Sequence, residues 1–231
     1  MEVEDEKLAA RKLSLDPVNQ PLASPAYTEP VRNLLRCYFR IVHRTTFSGQ
    51  ENIPPSGPCL FASNHGSYYD PLLVAGGQFL PMRFMAWDAL FNNGIFEKVI
   101  RFYGSFPVDP DGNDPAGYRV CLELLKKGQR ILIFPEGGRS TKEGLDDFRE
   151  GVARLAMKAN VPIVPVCLTG LSAAWPRADM FPRPWFPIHV RYLSPVYPQQ
   201  TKTPQERHDE AKRIMTEVKS SIQRCLDSFS S

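Results

Sequence analysis

His65 and Asp70 are the residues of this sequence whose types and spacing most directly indicate chemistry. They stand five positions apart in the segment 64–71 (NHGSYYDP), so on a continuous helix of 3.6 residues per turn their side chains would point roughly 140° apart. Gly66 and the pair Asp70-Pro71 instead predict a turn that leads into a helix, with Asp70 as its N-cap. Such a turn folds the carboxylate back onto the imidazole and fixes its tautomer. We therefore predict that His65 is a general base and that Asp70 orients it.

A second candidate site follows the apolar run 131–134, in the segment 134–140 (FPEGGRS). Its two glycines permit close approach of the backbone to a ligand, and Arg139 offers a planar guanidinium for a phosphate or carboxylate. Glu136 could orient Arg139 or accept a hydrogen bond from a substrate hydroxyl. Taken alone, a glutamate and an arginine in a glycine-rich turn are as often structural or solvated as functional.

The elements that must position these residues alternate between apolar runs and amphipathic segments. This order predicts an α/β sandwich with a central, mostly parallel sheet flanked by helices. The predicted strands are 59–63, 82–86, 105–108, 131–134, 163–168 and 188–193. The predicted helices are 71–80, 88–102, 114–127, 147–159 and 203–229. Because ligands bind at the carboxyl ends of the strands in such sheets, both candidate sites are expected at the same edge.

The N-terminal part divides by charge. Residues 1–30 carry six acidic and three basic side chains with four prolines, which predicts a mobile acidic arm. Residues 31–48 contain an arginine at every fourth position and no acid, which predicts a basic amphipathic helix. The four arginines are Arg32, Arg36, Arg40 and Arg44. Such a helix could contact an anionic membrane, chiefly through Arg36 and Arg40, or pack on the domain with a solvated basic face, and both interpretations stay open.

The segment 171–187 holds two tryptophans, Trp175 and Trp185, among prolines and arginines. These tryptophans could enter the headgroup region of a membrane, where Trp is favoured. The alternative, which we slightly favour, is a proline-rich cap over a sheet edge. The remaining sequence predicts a main domain at 49–200 and an amphipathic helix at 201–231 that packs on it.

Composition excludes several classes of protein. The formal net charge of +3 suits anionic substrates or a membrane surface but is too small to indicate nucleic-acid binding. The five scattered cysteines form no C-x-x-C pair, which is typical of reduced thiols and argues against a zinc site. No apolar run approaches the ~20 residues of a membrane span, and the acidic N-terminus resembles no signal peptide. We expect a cytoplasmic protein that associates peripherally with the membrane.

The order of the motifs resembles the glycerolipid acyltransferase family, whose best-known members are the 1-acylglycerol-3-phosphate (lysophosphatidic acid) acyltransferases. The resemblance is carried by the H-x4-D segment at 65–70, then FPEG at 134–137, then VPIVPV at 161–166. It extends from about residue 47 to 196 and makes 49–200 the acyltransferase domain. It also implies the α/β sandwich fold of the glycerol-3-phosphate acyltransferases.

The resemblance implies a role for each matched residue. His65 takes a proton from the acceptor hydroxyl and Asp70 orients His65. The glycerol phosphate of the acceptor is bound by three residues of the second site: Glu136, Gly137 and Arg139. Two prolines shape the acyl-donor side: Pro162 and Pro165. Neither a metal nor a cofactor is expected, since acyl-CoA or acyl-carrier protein serves as co-substrate, and no covalent acyl-enzyme forms.

The implied reaction is transfer of a fatty acyl group to the free hydroxyl of 1-acylglycerol-3-phosphate, which forms phosphatidic acid for phospholipid synthesis. Two departures from the family pattern leave another lysophospholipid or a lyso-aminolipid open as acceptor. Gly138 replaces the usual threonine, and Pro110 stands where a basic residue is common, although Arg149 keeps a positive charge in a later segment. A catalytically silent lipid-binding protein that docks on membranes is the alternative from another class.

Overall fold

The computed structural model describes residues 17–92, 94–108, 114–138, 144–176, 179 and 181–230. The strands of this part are β1 (Thr46–Ser48), β2 (Leu60–Ser63), β3 (Arg83–Trp87), β4 (Ser105–Val108), β5 (Ile131–Ile133), β6 (Ile163–Thr169) and β7 (His189–Tyr192). The helices are α1 (Pro25–His43), α2 (Asp70–Gly77), α3 (Gly94–Phe102), α4 (Pro115–Lys126), α5 (Gly151–Ala159), α6 (Leu171–Ala174) and α7 (Pro204–Ser230). Short 3-10 turns lie at Gln50–Asn52 and Asp88–Asn92.

These strands form one sheet in the order β1-β7-β6-β2-β5-β3-β4. Neighbouring strands run parallel, apart from the antiparallel pair of β6 and β7. Ala62 at the centre of β2 pairs with Ile133 of β5 on one side and with Pro165 of β6 on the other. The predicted mostly parallel α/β fold is confirmed. The carboxyl ends of β2 and β5, from which both candidate sites start, are adjacent.

Helices cover both faces of the sheet. Leu60 and Ala62 of β2 face a buried cluster that includes Leu124 of α4 and Ile214 of α7. Phe61, which points to the opposite face, contributes to a second cluster with side chains of α1, α2 and α6. All four residues of β2 are buried, as expected of a parallel strand with both faces covered. The sheet is therefore a rigid support for the turns at its carboxyl edge.

The predicted boundary between arm and basic helix at residues 30 and 31 is wrong. Helix α1 begins at Pro25, where the side chain of Ser24 accepts the backbone N–H of Ala26 at 3.4 Å and proline occupies the first turn. The helix ends at His43, because Arg44 adopts a left-handed conformation with φ of 45°. Residues 46–48, predicted as part of the helix, instead form β1 beside β7.

The part of the predicted arm that the structure describes is attached to the domain. The ammonium group of Lys127 donates to the carbonyl oxygen of Val18 and to the side chain of Asn19, both at 2.9 Å. The side-chain amide of Gln20 donates to the carbonyl oxygen of Arg101 at 3.3 Å. Residues 17–20 are thus fixed on the domain, and residues 1–16 lie outside the described part of the chain.

None of the helices in the described ranges is long and apolar enough to cross a membrane.

Candidate active site

The turn between β2 and α2 brings His65 and Asp70 together. Nδ1 of His65 lies 2.7 Å from Oδ2 of Asp70, and the same oxygen accepts the backbone N–H groups of Gly66 at 2.7 Å and Ser67 at 3.0 Å. An oxygen that accepts two backbone N–H groups carries no proton, so Nδ1 of His65 is the donor in the third contact. This tautomer leaves Nε2 as the basic nitrogen. The Asp70 side chain is fully buried, whereas that of His65 is 19% exposed and open to a substrate.

The predicted N-cap role of Asp70 is wrong in its detail. Tyr69 is the N-cap of α2, and Asp70 is the first helical residue. Its carboxylate turns back toward the N–H groups of the preceding turn, which offer it hydrogen bonds together with the imidazole of His65. One carboxylate therefore fixes both the shape of the turn and the position of the histidine.

Phe134 supports the other face of the histidine ring. The rings of His65 and Phe134 are stacked, with centroids 3.9 Å apart and planes inclined by 17°. Phe134 directly follows β5, whose neighbour in the sheet is β2. This stacking restricts rotation of the His65 side chain. This role was not predicted from the sequence, although the position of Phe134 at the start of the FPEG turn was a signal.

Glu136 joins the two turns. Its Oε1 accepts the backbone N–H of His65 at 2.8 Å, and its Oε2 accepts that of Asp146 at 3.1 Å. Burial raises the pKa of Glu136, and the two backbone N–H donors oppose that shift. The carboxylate thus braces the backbone of the turn between β2 and α2, which the sequence did not predict. Its assigned role in acceptor binding stays a prediction.

Gly137 allows a guanidinium to approach the FPEG turn. It has a φ of +79°, and a Cβ atom built on it would lie 2.6 Å from the guanidinium of Arg149. The backbone N–H of Arg149 donates to the carbonyl oxygen of Pro135 at 2.9 Å, which holds this cation beside the turn. Arg139, predicted to bind the acceptor phosphate, lies outside the described residues, as does Pro110.

Asn64 anchors the start of the turn between β2 and α2 to β6. Its side-chain amide donates to the carbonyl oxygen of Leu168, and its side-chain oxygen accepts the N–H of the same residue, both at 2.9 Å. This pair of bonds continues the ladder between β2 and β6 beyond Ser63. This role of Asn64 was not predicted from the sequence.

The two prolines assigned to the acyl-donor side lie in and just before β6, not in the turn that holds His65 and Asp70. Pro162 precedes β6, and its carbonyl oxygen accepts the N–H of Leu60 at 3.0 Å. His65 is five residues beyond Leu60 along the strand direction, about 16 Å away at roughly 3.3 Å per residue. Pro165 is buried inside the sheet in register with Ala62. The structure does not bring Pro162 to the His65–Asp70 pair, and the donor role of both prolines stays a prediction.

Arg36 does not occupy the outward position expected of a membrane contact. Its guanidinium donates to the carbonyl oxygens of Gly76 and Gln78 at the end of α2 and lies over the ring of Phe79 at 5.0 Å. Burial lowers the pKa of Arg36. The cation therefore caps the carboxyl end of α2, where positive charge is favoured. Arg40 is exposed, as predicted for that position.

The two tryptophans considered as membrane contacts differ in their exposure and packing. Trp175 packs against Tyr69 with ring centroids 4.9 Å apart, and its indole N–H donates to the carbonyl oxygen of Asp179 at 3.1 Å. Trp175 is therefore half-buried against the second cluster, and its assignment to the membrane surface stays a prediction. Trp185 is 64% exposed. Arg177 of the same segment lies outside the described residues.

Known proteins resemble this chain over the region that holds both turns. The acyltransferase family model matches residues 44–169. A chloroplastic 1-acyl-sn-glycerol-3-phosphate acyltransferase of Brassica napus is 34% identical over 140 residues, which cover 58% of this chain and 40% of the relative. An enzyme of the same name from Streptococcus pneumoniae is 35% identical over 116 residues, 48% of this chain and 41% of the relative. The chain thus spans about two fifths of the length of these relatives.

A solved structure shares the fold. The crystal structure of the 1-acyl-sn-glycerophosphate acyltransferase PlsC of Thermotoga maritima superposes with a TM-score of 0.65 at 23% sequence identity. The match covers 83% of this chain and 78% of the other. At this level of identity the likeness supports the architecture of the sheet and its helices.

Proposed function

Because this chain belongs to the acyltransferase family, we propose that it transfers a fatty acyl group from an acyl thioester to the free hydroxyl of 1-acylglycerol-3-phosphate. The product is phosphatidic acid, and the donor is acyl-CoA or an acyl-carrier protein. The observation that carries the proposal is the 2.7 Å contact between His65 and Asp70 beside the FPEG turn. The names of the relatives reported above support lysophosphatidate as the acceptor.

The His65–Asp70 pair carries out the proton transfers of this reaction. Nε2 of His65 takes the proton of the acceptor hydroxyl as its oxygen attacks the thioester carbonyl. The tetrahedral intermediate collapses, the carbon–sulfur bond breaks, and the departing thiolate takes the proton from the imidazolium. Asp70 stabilises the imidazolium while it exists. A thioester is already activated, so a positioned base worth ~10²–10⁴-fold and the alignment of two substrates suffice without an acyl-enzyme.

The FPEG turn provides a place for the acceptor phosphate. Gly137 leaves room for the guanidinium of Arg149, which lies against the turn. Guanidinium groups bind phosphate oxygens in a bidentate fashion. We assign phosphate recognition to Arg149 together with Arg139, while Glu136 holds the turn next to His65.

Helix α1 offers a surface for the membrane that contains the acceptor. Its exposed apolar side chains recur at intervals of four and three residues, which places them on one face. They are Tyr27, Val31, Leu34, Tyr38 and Ile41, and we call this set the α1 seam. Two basic side chains near the end of α1, Arg40 and Arg44, are exposed as well. Trp185, which is also exposed, lies beside this helix, because its backbone N–H donates to the carbonyl oxygen of Val42 at 2.8 Å. We assign the seam and Trp185 to contact with an anionic lipid surface.

An acceptor panel tests the reaction. Purified protein is mixed with labelled acyl-CoA or acyl-carrier protein and with lysophosphatidate, other lysophospholipids or a lyso-aminolipid. We expect labelled phosphatidic acid as the main product. Preferential labelling of a different lysolipid would replace the acceptor, and thioester hydrolysis at the same rate with and without acceptors would overturn acyl transfer altogether.

Sedimentation with anionic liposomes tests the membrane surface. Ile41→Glu places a charge on the α1 seam, whereas Ile95→Glu places one on α3, where Ile95 is at least as exposed. We expect the first variant to lose lipid binding and the second to retain it. Equal loss in both variants, or in neither, would contradict docking through α1.

A further inference from the structure

Tyr69 joins the catalytic turn to the helix that follows it. It is the N-cap of α2, directly before Asp70, and its backbone N–H donates to the side chain of Ser67 at 3.2 Å. Its carbonyl oxygen accepts the N–H of Leu73 at 2.9 Å. The side chain of Tyr69 is buried, although no step of the proposed reaction uses it. A displacement of this ring would move the backbone that carries Asp70.

One side of Tyr69 is held by α1. The hydroxyl groups of Tyr38 and Tyr69 are 3.0 Å apart. Phe39 and His43, also of α1, pack edge-on against the Tyr69 ring with centroid distances of 4.9 and 5.5 Å. Burial raises the pKa of Tyr69, and the hydrogen bond with Tyr38 raises it further, so its hydroxyl keeps the proton. Helix α1 is thereby fastened to the turn by a hydrogen bond and by ring contacts.

The other side of Tyr69 is held by Trp175, which follows α6. The two rings meet at 4.9 Å with an interplanar angle of 67°, and Trp175 is itself fixed through its N–H contact with Asp179. The Tyr69 ring therefore lies between α1 and the segment after α6. Such rigid packing around a catalytic group is what holds it in a productive geometry.

We propose that Tyr38 and Tyr69 are positioning residues for the His65–Asp70 pair. Their hydroxyl contact sets where the turn places Asp70, and Asp70 in turn sets the approach of His65 to the acceptor. The proposal rests on the acyl transfer proposed above. Because Tyr38 belongs to the α1 seam, the same contact links the lipid surface of α1 to the geometry of the catalytic pair.

The kinetics of tyrosine-to-phenylalanine variants test this role. Tyr38→Phe and Tyr69→Phe each leave one hydroxyl without its partner, whereas the double variant removes both hydroxyls and leaves matched rings. We expect each single variant to lower kcat ~10-fold, because misplacement by about 1 Å can cost ~100-fold, and to leave the KM for lysophosphatidate unchanged. The double variant should lose no more than either single variant, since the pair acts as a unit. Tyr118→Phe, which removes a hydroxyl contact with the carbonyl oxygen of Arg154 elsewhere, should match the wild type.

Amide hydrogen exchange of residues 65–70 supplies a readout that does not depend on the reaction. The N–H groups of Gly66 and Ser67 bond to Asp70, so a displaced turn should exchange faster in both single variants while the rest of the sheet stays protected. If the wild type is active and the single variants keep kcat within twofold with unchanged exchange, the positioning role is refuted. Losses that multiply in the double variant would also refute it. If the wild type transfers acyl groups to no acceptor, the proposed function fails, and the exchange result alone then decides the positioning role.

Discussion

Replacing Asp70 by asparagine removes the negative charge of this residue and keeps nearly the same side-chain shape. Oδ2 of Asp70 accepts three N–H groups, from His65, Gly66 and Ser67. An asparagine oxygen in the same place can accept the same bonds, but as a neutral group each bond is weaker by about 1 kcal/mol. Relief of the buried charge offsets part of this loss, so the free energy of unfolding should fall by only ~1–3 kcal/mol.

The loss of activity in Asp70→Asn should be larger than the loss of stability. The imidazolium of His65 forms only during the reaction and then lacks its anionic partner. In a serine-protease triad the same exchange lowers kcat by ~10⁴-fold. We expect ~10³–10⁴-fold here, which corresponds to about 4–5.5 kcal/mol of transition-state stabilisation.

The assay compares initial rates at saturating acceptor with unfolding in urea. Asp114→Asn is a matched control, because the carboxylate of Asp114 also accepts two backbone N–H groups, from Ala116 at 3.0 Å and Gly117 at 2.8 Å, at the start of α4. Asparagine caps a helix as well as aspartate does, so this variant should retain full activity. A folded Asp70→Asn protein with less than a tenfold loss of kcat would refute the orienting role of Asp70.

Three further predictions concern the second turn. Glu136→Gln keeps one acceptor for two backbone N–H groups, so urea unfolding should show a loss of ~1–3 kcal/mol, and a loss below about 0.5 kcal/mol would contradict the bracing role. Folding raises the pKa of Glu136, so protonated Glu136 favours the folded state at low pH, and this contribution is lost as the pH rises above the ordinary glutamate value of about 4.3. Urea unfolding of the wild type and of Glu136→Gln across this range should therefore show the wild type losing stability relative to the variant as the pH increases. Gly137→Ala should cost at least ~1–2 kcal/mol from its left-handed backbone and displace Arg149, which raises the KM for lysophosphatidate. Gly138→Ala should change neither stability nor KM, because the described residues leave open space around this glycine.

The contact between His65 and Asp70 could be predicted from sequence because the information for it is local. His65 and Asp70 lie in one turn between a short apolar run and a helix start, and the glycine and proline around them restrict the backbone. The same kind of local signal located the central strands, whose continuous apolar runs are typical of a buried parallel sheet. The residues that surround the pair were harder to assign. Phe134 and Glu136 reach His65 only because β5 lies next to β2, and the order of strands is a tertiary property.

Helix α1 shows a second limit of sequence reasoning. The arginine spacing correctly indicated an amphipathic helix, but periodicity alone does not say which face meets the domain. The carboxyl end of α2 lies against this helix and draws Arg36 inward, while apolar side chains such as Leu34 and Ile41 remain exposed. The packing of Trp175 against Tyr69 could not be predicted for a similar reason, because it depends on a contact between residues far apart in the chain.

Acyl transfer by His65→Ala decides whether His65 is the general base. Formation of labelled phosphatidic acid from labelled acyl thioester and lysophosphatidate is measured for this variant, the wild type and His208→Ala, a control that changes an exposed histidine on α7. We expect His208→Ala to match the wild type and His65→Ala to lose at least ~10²–10⁴-fold in rate while its thermal unfolding stays cooperative. Turnover of the His65→Ala variant at the wild-type rate would contradict the mechanism.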